Sequence, residues 1–260
     1  MSNIKLYGYA TSPYVRKVGC FLHYKQLDFE FVPVSPMTAA EQLEFIGGTQ
    51  VPVLEIDGEA RRESSALGHW LDERFPERSV CPAAHSDKIA EIDAWVSDTF
   101  LMSIFRGAID GEVNLQYRFR FWRLAALVSA HTPLPEQVRH LWPDFVANAP
   151  FIKEMGEHMD LTESAEAMAM RIGMELAAHI GDGPFMGGFD APTMLDLAVY
   201  PQLVFGVMFG LESELSAARH PVIKGWIERM MEHLPANPTL VADTMQVVSV
   251  KDALAAMAEK

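Results

Sequence analysis

The order of strand and helix patterns in the first 75 residues restricts the possible folds of this chain more than any other feature. A helical spacing of apolar residues follows the first strand pattern, and a β-hairpin turned by Asp57-Gly58 precedes a second helix. The strand patterns cover residues 3–7, 28–34, 51–56 and 59–62, and the helical patterns cover 13–26, 65–75 and a short segment containing Glu41 and Phe45. A βαβ unit followed by a hairpin and a helix predicts a small mixed sheet covered by helices.

Beyond a proline-containing connection at residues 75–86, the pattern is helical to the end of the chain. Apolar residues keep a helical period over 89–104 and again over 165–180. The segment 110–161 gives the weakest helical signal. We therefore expect a second unit made only of helices.

The charge balance argues against a nucleic-acid or membrane-surface function. The chain has 21 basic and 35 acidic side chains and a net charge of −14, which repels phosphate backbones and anionic lipids. The segment Gln116–Arg123 alternates aromatic and basic residues, which is typical of nucleic-acid surfaces, but in a helical frame Tyr117, Phe121 and Leu124 form one apolar stripe. The most apolar stretch, Leu197–Leu211, is too short to span a bilayer. Neither nucleic acid nor a membrane is predicted as a partner.

Cysteine and histidine usage indicates a reduced protein without a metal site. The two cysteines, Cys20 and Cys81, form no CxxC pair, and the nine histidines show no HExxH spacing. The start of the chain lacks the charged-then-apolar layout of a secretory signal. We therefore expect a cytoplasmic protein with no structural disulfide and no metal. Cys20, two turns inside the first helix, is expected to be buried.

Ser12 and Pro13 stand between the first strand and the first helix. Serine is a favoured N-cap and proline a favoured first helical residue, so a purely structural role explains the pair. The same hydroxyl lies at the positive end of the helix, where a bound anion is also stabilised. These two residues by themselves leave both interpretations open.

Two further positions in the first domain combine with Ser12. Val51-Pro52 is either an ordinary strand start or, if the bond is cis, a place where the free backbone of Val51 can pair with a peptide ligand. Glu63 and Ser64 lie where the hairpin meets the next helix, and they either cap it or hold an amino group and a carboxylate. Together they describe a peptide-like ligand with an α-amino-carboxylate end and a reactive group at Ser12.

The segments Ser12–Val18, Val51–Leu54 and Glu63-Ser64, in this order and spacing, resemble the amino-terminal, thioredoxin-like domain of cytosolic glutathione transferases. The segment Pro184–Leu203 resembles the start of the core helix in the all-helical domain of that family, where Thr193 and Asp196 form a Thr-x-x-Asp cap. The resemblance extends over about residues 1–76 and 184–235. It implies an α/β plus all-α architecture, whose parts are a thioredoxin-like domain at 1–79, a linker at 80–85 and an all-helical domain at 86–260.

The resemblance also implies that glutathione is a co-substrate and that particular residues of this chain bind each part of it. Val51, next to a cis Pro52, would pair with the cysteinyl backbone, and Glu63 and Ser64 would hold the γ-glutamyl end. Gln50 stands where many relatives carry a basic residue and is a further contact candidate.

Ser12 would then donate a hydrogen bond to the sulfur. Serine-type relatives place this residue either directly before the proline or one residue earlier, so Thr11 competes with Ser12, and Tyr7 and Tyr9 are weaker candidates. Some of the layout also resembles the prostaglandin-E-synthase-like branch of the superfamily. That branch has a cysteine pair where this chain has Ser12 and Val15, so neither its chemistry nor disulfide exchange is expected here.

A site for an electrophile is expected between the two domains, bounded by the first helix and the helix at 86–106. The candidate lining residues, for which ordinary core packing is the alternative, are Tyr14, Trp95, Met102, Phe105 and Arg106.

The resemblance therefore implies a glutathione transferase that acts in detoxification and conjugates a hydrophobic small molecule. The alternatives are a glutathione-dependent isomerase or peroxidase using the same site, and a non-catalytic binding protein. The family also implies a homodimer.

Overall fold

Four short strands form one mixed sheet in the order β2-β1-β3-β4. Strand β1 pairs in parallel with β2 and antiparallel with β3, which pairs antiparallel with β4. The strands are β1 (Ile4–Gly8), β2 (Glu30–Pro33), β3 (Val53–Ile56) and β4 (Glu59–Arg61). The computed structural model describes residues 2–110 and 115–258; residues 1, 111–114 and 259–260, which the predicted domains include, lie outside the described residues. The predicted mixed sheet is confirmed.

Helices cover both faces of the sheet. Helices α1 (Pro13–Tyr24) and α3 (Ser64–Arg74) share one apolar core with Leu6 and Leu54 of the sheet. The short α2 (Ala39–Gln42), with a 3-10 turn at Glu44–Ile46, covers the other face. The third strand begins two residues later than the pattern predicts, because Pro52 has no amide hydrogen to donate to the ladder.

The rest of the described chain is helical, as predicted. A π-helical turn at Val96–Phe100 joins the first two helices of this part. The helices are α4 (Ser86–Trp95), α5 (Leu101–Ser103), α6 (Arg106–Ile109), α7 (Leu115–Ser129), α8 (Glu136–Ala147), α9 (Pro150–Glu157), α10 (Ala165–Ile180), α11 (Met194–Met208), α12 (Pro221–His233) and α13 (Val250–Ala258). The segment with the weakest sequence signal contains α7, α8 and α9, which form two small apolar clusters, one of them shared with Ala108 of α6.

Helix α11 is the centre of the helical domain and the main contact of that domain with α1. Every residue of α11 except Leu203 is buried. Thr193 and Asp196 form the predicted capping box at its start, and the Asp196 carboxylate also accepts a hydrogen bond from the indole of Trp226 on α12 at 2.7 Å. Because α11 is buried on nearly all sides, it contacts α1 of the first domain as well as α4, α12 and α13 of the helical domain.

Asp72 on α3 is expected to contribute strongly to stability at neutral pH. Its carboxylate accepts hydrogen bonds from Lys25 at 2.6 Å and from the amides of Val80 and Cys81 at 3.0 and 2.7 Å. Burial opposes its ionisation, but these bonds, together with one from Ser79, hold the pKa of Asp72 below its ordinary value. Asp72→Ala should lower the free energy of unfolding by about 2–4 kcal/mol, because two amides lose their acceptor and the buried Lys25 ammonium loses its counter-charge and keeps only carbonyl acceptors.

Urea denaturation at pH 7 and in acid would test this expectation. Since the pKa is lower in the folded than in the unfolded state, the contribution is present above the unfolded value of 3.8 and is lost as the pH falls through the folded value. Glu228→Ala is the control, because this exposed carboxylate lies 3.9 Å from Lys224 and should contribute less than about 0.5 kcal/mol. Equal losses in the two variants would contradict the role given to Asp72.

Candidate functional site

The sheet topology brings three sequence-predicted segments to one end of the sheet. Strands β1 and β3 are antiparallel, with Tyr7 opposite Val53, so the end of β1 lies beside the start of β3. Strands β3 and β4 are also antiparallel, with Leu54 opposite Arg61, so the end of β4 lies beside the same start. The segments at 11–13, 50–52 and 63–64 therefore meet at this end.

Ser12 is the N-cap of α1 and keeps an available donor. Its backbone is extended, with φ −76° and ψ 128°, and Pro13 occupies the first helical position. The Ser12 Oγ accepts a hydrogen bond from the Val15 amide at 3.4 Å, which is long for such a bond. Among the described residues the Ser12 hydroxyl has no acceptor for its own hydrogen. The side chain can therefore cap the helix and donate to a bound anion at the same time.

Val51 is joined to Pro52 by a cis peptide bond. Among the described residues, neither the amide nor the carbonyl of Val51 takes part in a backbone hydrogen bond. Both groups are thus available to an extended ligand lying along this edge.

Glu63 and Ser64 present unpaired polar groups at the start of α3. Glu63 has φ 71° and ψ 102°, a conformation that costs a non-glycine residue free energy of about 1–3 kcal/mol. Its exposed carboxylate has no partner among the described residues, and Ser64 is half-buried. The Leu67 amide is the first in α3 to find a helical acceptor, the Glu63 carbonyl, so the preceding amides can bind a carboxylate.

The competing thiol-activating candidates differ in how their polar groups are used. The Thr11 side chain is half-buried, and its carbonyl accepts a hydrogen bond from Arg16 at 2.9 Å. The Tyr7 hydroxyl donates to Glu55 at 2.8 Å, and burial together with Glu55 raises the pKa of Tyr7 to about 12. Burial also raises the pKa of Tyr9. Both phenols therefore resist ionisation.

Arg16 is a residue to which sequence reasoning assigned no role. It is only 2% exposed, and its guanidinium hydrogen-bonds to the Thr11 carbonyl and, at 2.6 and 3.0 Å, to the Gln202 side-chain oxygen. It also stacks on the ring of Phe205 at 3.7 Å. The Gln202 amide donates to the Pro13 carbonyl at 2.9 Å, so α11 holds the first turn of α1.

Among the described residues, no carboxylate pairs with Arg16. Burial lowers the pKa of Arg16 to about 9, so it remains protonated at neutral pH. A buried cation without a counter-charge adds positive potential near Ser12, in the same direction as the dipole of α1. No local sequence signal identifies it, because an arginine in an amphipathic helix normally belongs to the solvent face.

The predicted lining residues of an electrophile site lie in different surroundings. Burial and then the charge of Asp98, in the π-helical turn, raise the pKa of Tyr14, a half-buried residue of α1. The Trp95 indole donates to Glu175 on α10 at 2.7 Å. The Trp95 indole is therefore bonded within the helical part of the chain, whereas Tyr14 belongs to α1.

Phe105 packs edge-on against Phe151 of α9, and Met102 is half-buried. Arg106 is buried, with hydrogen bonds to Asp110 at 2.6 Å and to the Glu163 carbonyl at 2.7 Å. Its guanidinium thus connects α6 to the segment that precedes α10. Tyr14 is the one of these five candidates that lies on α1, whereas the other four belong to the helical part of the chain.

The two thiols are poorly suited to nucleophilic chemistry. Cys20 is buried, as predicted, and its thiol donates to the Pro238 carbonyl at 3.3 Å, while burial raises its pKa. Burial, followed by Asp72 and Asp93, raises the pKa of Cys81 to about 12. A reactive sulfur at this site would have to come from a ligand.

The described residues form neither a cluster of metal-ligating side chains nor a membrane-spanning helix. Within 2–110 and 115–258, no three histidine, cysteine or acidic side chains come together as metal ligands. In the same part of the chain, no helix has both the length and the apolar content needed to cross a bilayer.

Comparisons with known proteins agree with this geometry. Residues 6–79 match the family model described as Glutathione S-transferase, N-terminal domain. Glutathione S-transferase 3 of Zea mays is 31% identical over a match covering 37% of this chain and 45% of that enzyme, so the match spans less than half of the relative. Prostaglandin E synthase 2 of Mus musculus is 23% identical over 91% of this chain and 72% of its own length.

A solved structure shares the architecture over the whole chain. The glutathione transferase homologue of Drosophila mojavensis, with bound glutathione, has a TM-score of 0.59, 18% identity, and coverage of 100% of this chain and 98% of its own. At this identity the likeness establishes the fold, a thioredoxin-like domain followed by a helical domain.

Proposed function

We propose that this chain, whose residues 6–79 match the family model of a glutathione S-transferase N-terminal domain, is a glutathione transferase that joins the glutathione thiolate to a hydrophobic electrophile. One observation carries the proposal. The donor of Ser12, the backbone of Val51 and the unpaired groups of Glu63 and Ser64 meet at one end of the sheet. They complement the thiol, the peptide backbone and the α-amino-carboxylate of one tripeptide.

Each part of glutathione has a matching group in the proposed complex. The Val51 amide and carbonyl pair with the cysteinyl backbone, as in the addition of a strand. The Glu63 carboxylate takes the γ-glutamyl ammonium, and the Ser64 hydroxyl with the first amides of α3 takes its carboxylate. Gln50 is exposed beside Val51 and can donate its side-chain amide to the rest of the peptide. The thiol then lies at Ser12.

The proposed role of Ser12 is to stabilise the thiolate by donating a hydrogen bond. A free thiol has a pKa of about 8.5, so abundant thiolate at neutral pH needs about 2.7 kcal/mol of selective stabilisation. A helix N-terminus supplies about 0.3–1 kcal/mol, and a hydrogen bond to a charged group supplies about 1.5–3 kcal/mol. The dipole alone is therefore too weak, whereas the dipole and the hydroxyl together are sufficient.

In this proposal, residues of both domains also stabilise the thiolate and position the electrophile. Arg16, held by Gln202 of α11, adds positive potential behind the thiolate. The electrophile lies beside Tyr14, and proximity supplies much of the rate. The thiolate sulfur forms a bond to an electrophilic carbon, and the displaced electron pair either leaves with an anionic leaving group or moves from a conjugated double bond onto an atom that then takes a proton from water. The proposed glutathione-binding domain consists of residues 1–79 and the helical domain of residues 86–260, with a linker at 80–85.

Calorimetric titration with reduced glutathione tests the proposal, with Glu63→Ala beside the wild type. Glu63→Ala should weaken binding about tenfold, because a charge-assisted contact with the ammonium is lost. Glu73→Ala is the matched control, since Glu73 is an exposed acid near the other end of α3 and should bind like wild type. Absence of binding heat at several temperatures, with the protein folded, would overturn the proposal.

Turnover over a panel of electrophiles, hydroperoxides and isomerisable double bonds would identify the reaction within this class. Binding of glutathione without turnover of any of them would instead support a non-catalytic protein. A cytoplasmic homodimer is part of the same proposal, and sedimentation at the mass of one chain would remove the dimer from it.

A further inference from the structure

Arg62 connects the two halves of the proposed glutathione site. It lies directly after β4 and directly before Glu63. Its Nη2 donates to the carbonyls of Ile46 and Gly47, each at 2.8 Å. These carbonyls end the 3-10 turn at Glu44–Ile46, where helical carbonyls lack partners and a cation is favoured.

Gly48 lies close to the same guanidinium. A Cβ on this residue would lie 2.8 Å from Arg62 Nη1, too close for any real contact, and Gly48 has φ +129°, which other residues rarely adopt. Gly47 also has a positive φ, of 70°. The chain thus passes tightly over the Arg62 side chain immediately before it reaches Gln50 and Val51.

Among the described residues, no carboxylate pairs with Arg62, so the carbonyl contacts determine where its guanidinium lies. The positive φ of Glu63 needs support from its surroundings to persist. An anchored side chain on the preceding residue supplies that support from one side, and α3 supplies it from the other. The same anchor therefore acts on the loop that carries Val51 and on the conformation of Glu63.

We propose that Arg62 is a positioning residue that fixes the distance between the Gln50–Val51 edge and the Glu63–Ser64 corner before glutathione arrives. This inference rests on the proposed function, because it concerns the same site. The two hydrogen bonds from Arg62 to the Ile46 and Gly47 carbonyls are called the Arg62 clamp. In the unliganded protein this clamp restricts the motion of the loop that carries Gln50 and Val51, so binding of the peptide costs less conformational entropy. Arg62 itself need not touch the ligand.

Arg62→Met tests the proposal, because methionine keeps an apolar side chain of similar reach and removes the donors. The Kd and KM for glutathione should rise about tenfold, while kcat at saturating glutathione stays within about twofold, since Ser12 is untouched. Arg62→Lys should recover part of the affinity. Arg61→Met is the matched control, because Arg61 is exposed, pairs with Glu59 and stacks on Trp70.

A truncated ligand separates positioning from direct contact. γ-Glutamylcysteine lacks the glycine of glutathione but still reaches from Val51 to Glu63. Arg62→Met should therefore weaken the binding of γ-glutamylcysteine as much as the binding of glutathione. If only intact glutathione loses affinity, Arg62 contacts the glycine carboxylate directly and the positioning role is wrong. Wild-type affinity of Arg62→Met for both ligands would also overturn it.

Amide hydrogen exchange without ligand tests the clamp independently of glutathione. The Ile46 and Gly47 amides are bonded to the Leu43 carbonyl within the turn that Arg62 caps, so they should exchange about tenfold faster in Arg62→Met. Unchanged exchange would contradict the clamp even if wild type binds glutathione. If wild type binds no glutathione, the proposed function fails, and the exchange still decides the role of Arg62.

Discussion

Replacing Asp196 with alanine is expected to lower the free energy of unfolding by about 3–5 kcal/mol. The carboxylate is 0% exposed and accepts hydrogen bonds from the amides of Met186 and Thr193 at 2.8 and 2.9 Å and from the Trp226 indole at 2.7 Å. Alanine would leave these three buried donors without an acceptor, each at a cost of about 1–3 kcal/mol, and would also remove the acceptor of the Thr193 hydroxyl at 3.3 Å. It would also remove the negative charge at the N-terminus of α11.

Urea denaturation followed by tryptophan fluorescence would measure this loss. Burial raises the pKa of Asp196 to about 6, so a measurement at pH 8 compares the variant with the ionised wild type. Asp196→Asn should lower the free energy of unfolding nearly as much, because the asparagine NH2 group is a donor and would face a group that is itself a donor. Asp190→Ala, an exposed acid near the start of α11, is the control and should change stability by less than about 0.5 kcal/mol. A loss below about 1 kcal/mol in Asp196→Ala would contradict the central role of this cap.

Replacing Ser12 with alanine is expected to reduce thiolate-dependent turnover at least about tenfold, and up to about 100-fold, with little change in glutathione affinity. The range follows from the loss of one hydrogen bond to a charged sulfur, about 1.5–3 kcal/mol. The pKa of bound glutathione, followed by thiolate absorbance, should rise by a corresponding amount. The substitution also removes a helix cap, but the 3.4 Å bond to Val15 is long, so the fold should persist.

Thr11→Ala is the matched control for Ser12→Ala. It removes a neighbouring hydroxyl but keeps the hydrogen bond from Arg16 to the backbone carbonyl of residue 11. It should retain near wild-type turnover and thiol pKa. If Ser12→Ala keeps wild-type turnover while Thr11→Ala loses it, the thiol-activating role belongs to Thr11. If both variants keep it, a tyrosine takes the role, although the raised pKa values of Tyr7 and Tyr9 disfavour that outcome.

Local patterns in the sequence account for the elements and their caps. The βαβ order, the Asp57-Gly58 turn, Ser12 before Pro13 and the Thr193–Asp196 box all involve neighbours within a few residues. Periodicity, turn conformation and capping depend on such neighbours, so they can be recognised in one dimension. The mixed sheet and the helical remainder followed from the same patterns.

Tertiary structure alone decided which side chains meet across the fold. Arg16 reads as a surface residue of an amphipathic helix, yet it is buried on Gln202, 186 positions away. Arg62 reads as a polar residue before a helix, yet it caps a turn 15 and 16 positions earlier. Trp95 and Arg106 read as possible pocket residues, yet Glu175 and the Glu163 carbonyl engage their polar groups.

The range of the interactions explains this division. Short-range sterics and hydrogen bonds select the elements, their order and the residue types available at one end of the sheet, so these features follow from neighbouring residues alone. The partner of a long side chain depends on the packed fold, because a guanidinium or an indole bonds with whichever acceptor packing brings near. The contacts of Arg16 with Gln202 and of Arg62 with the Ile46 and Gly47 carbonyls are both consequences of such packing.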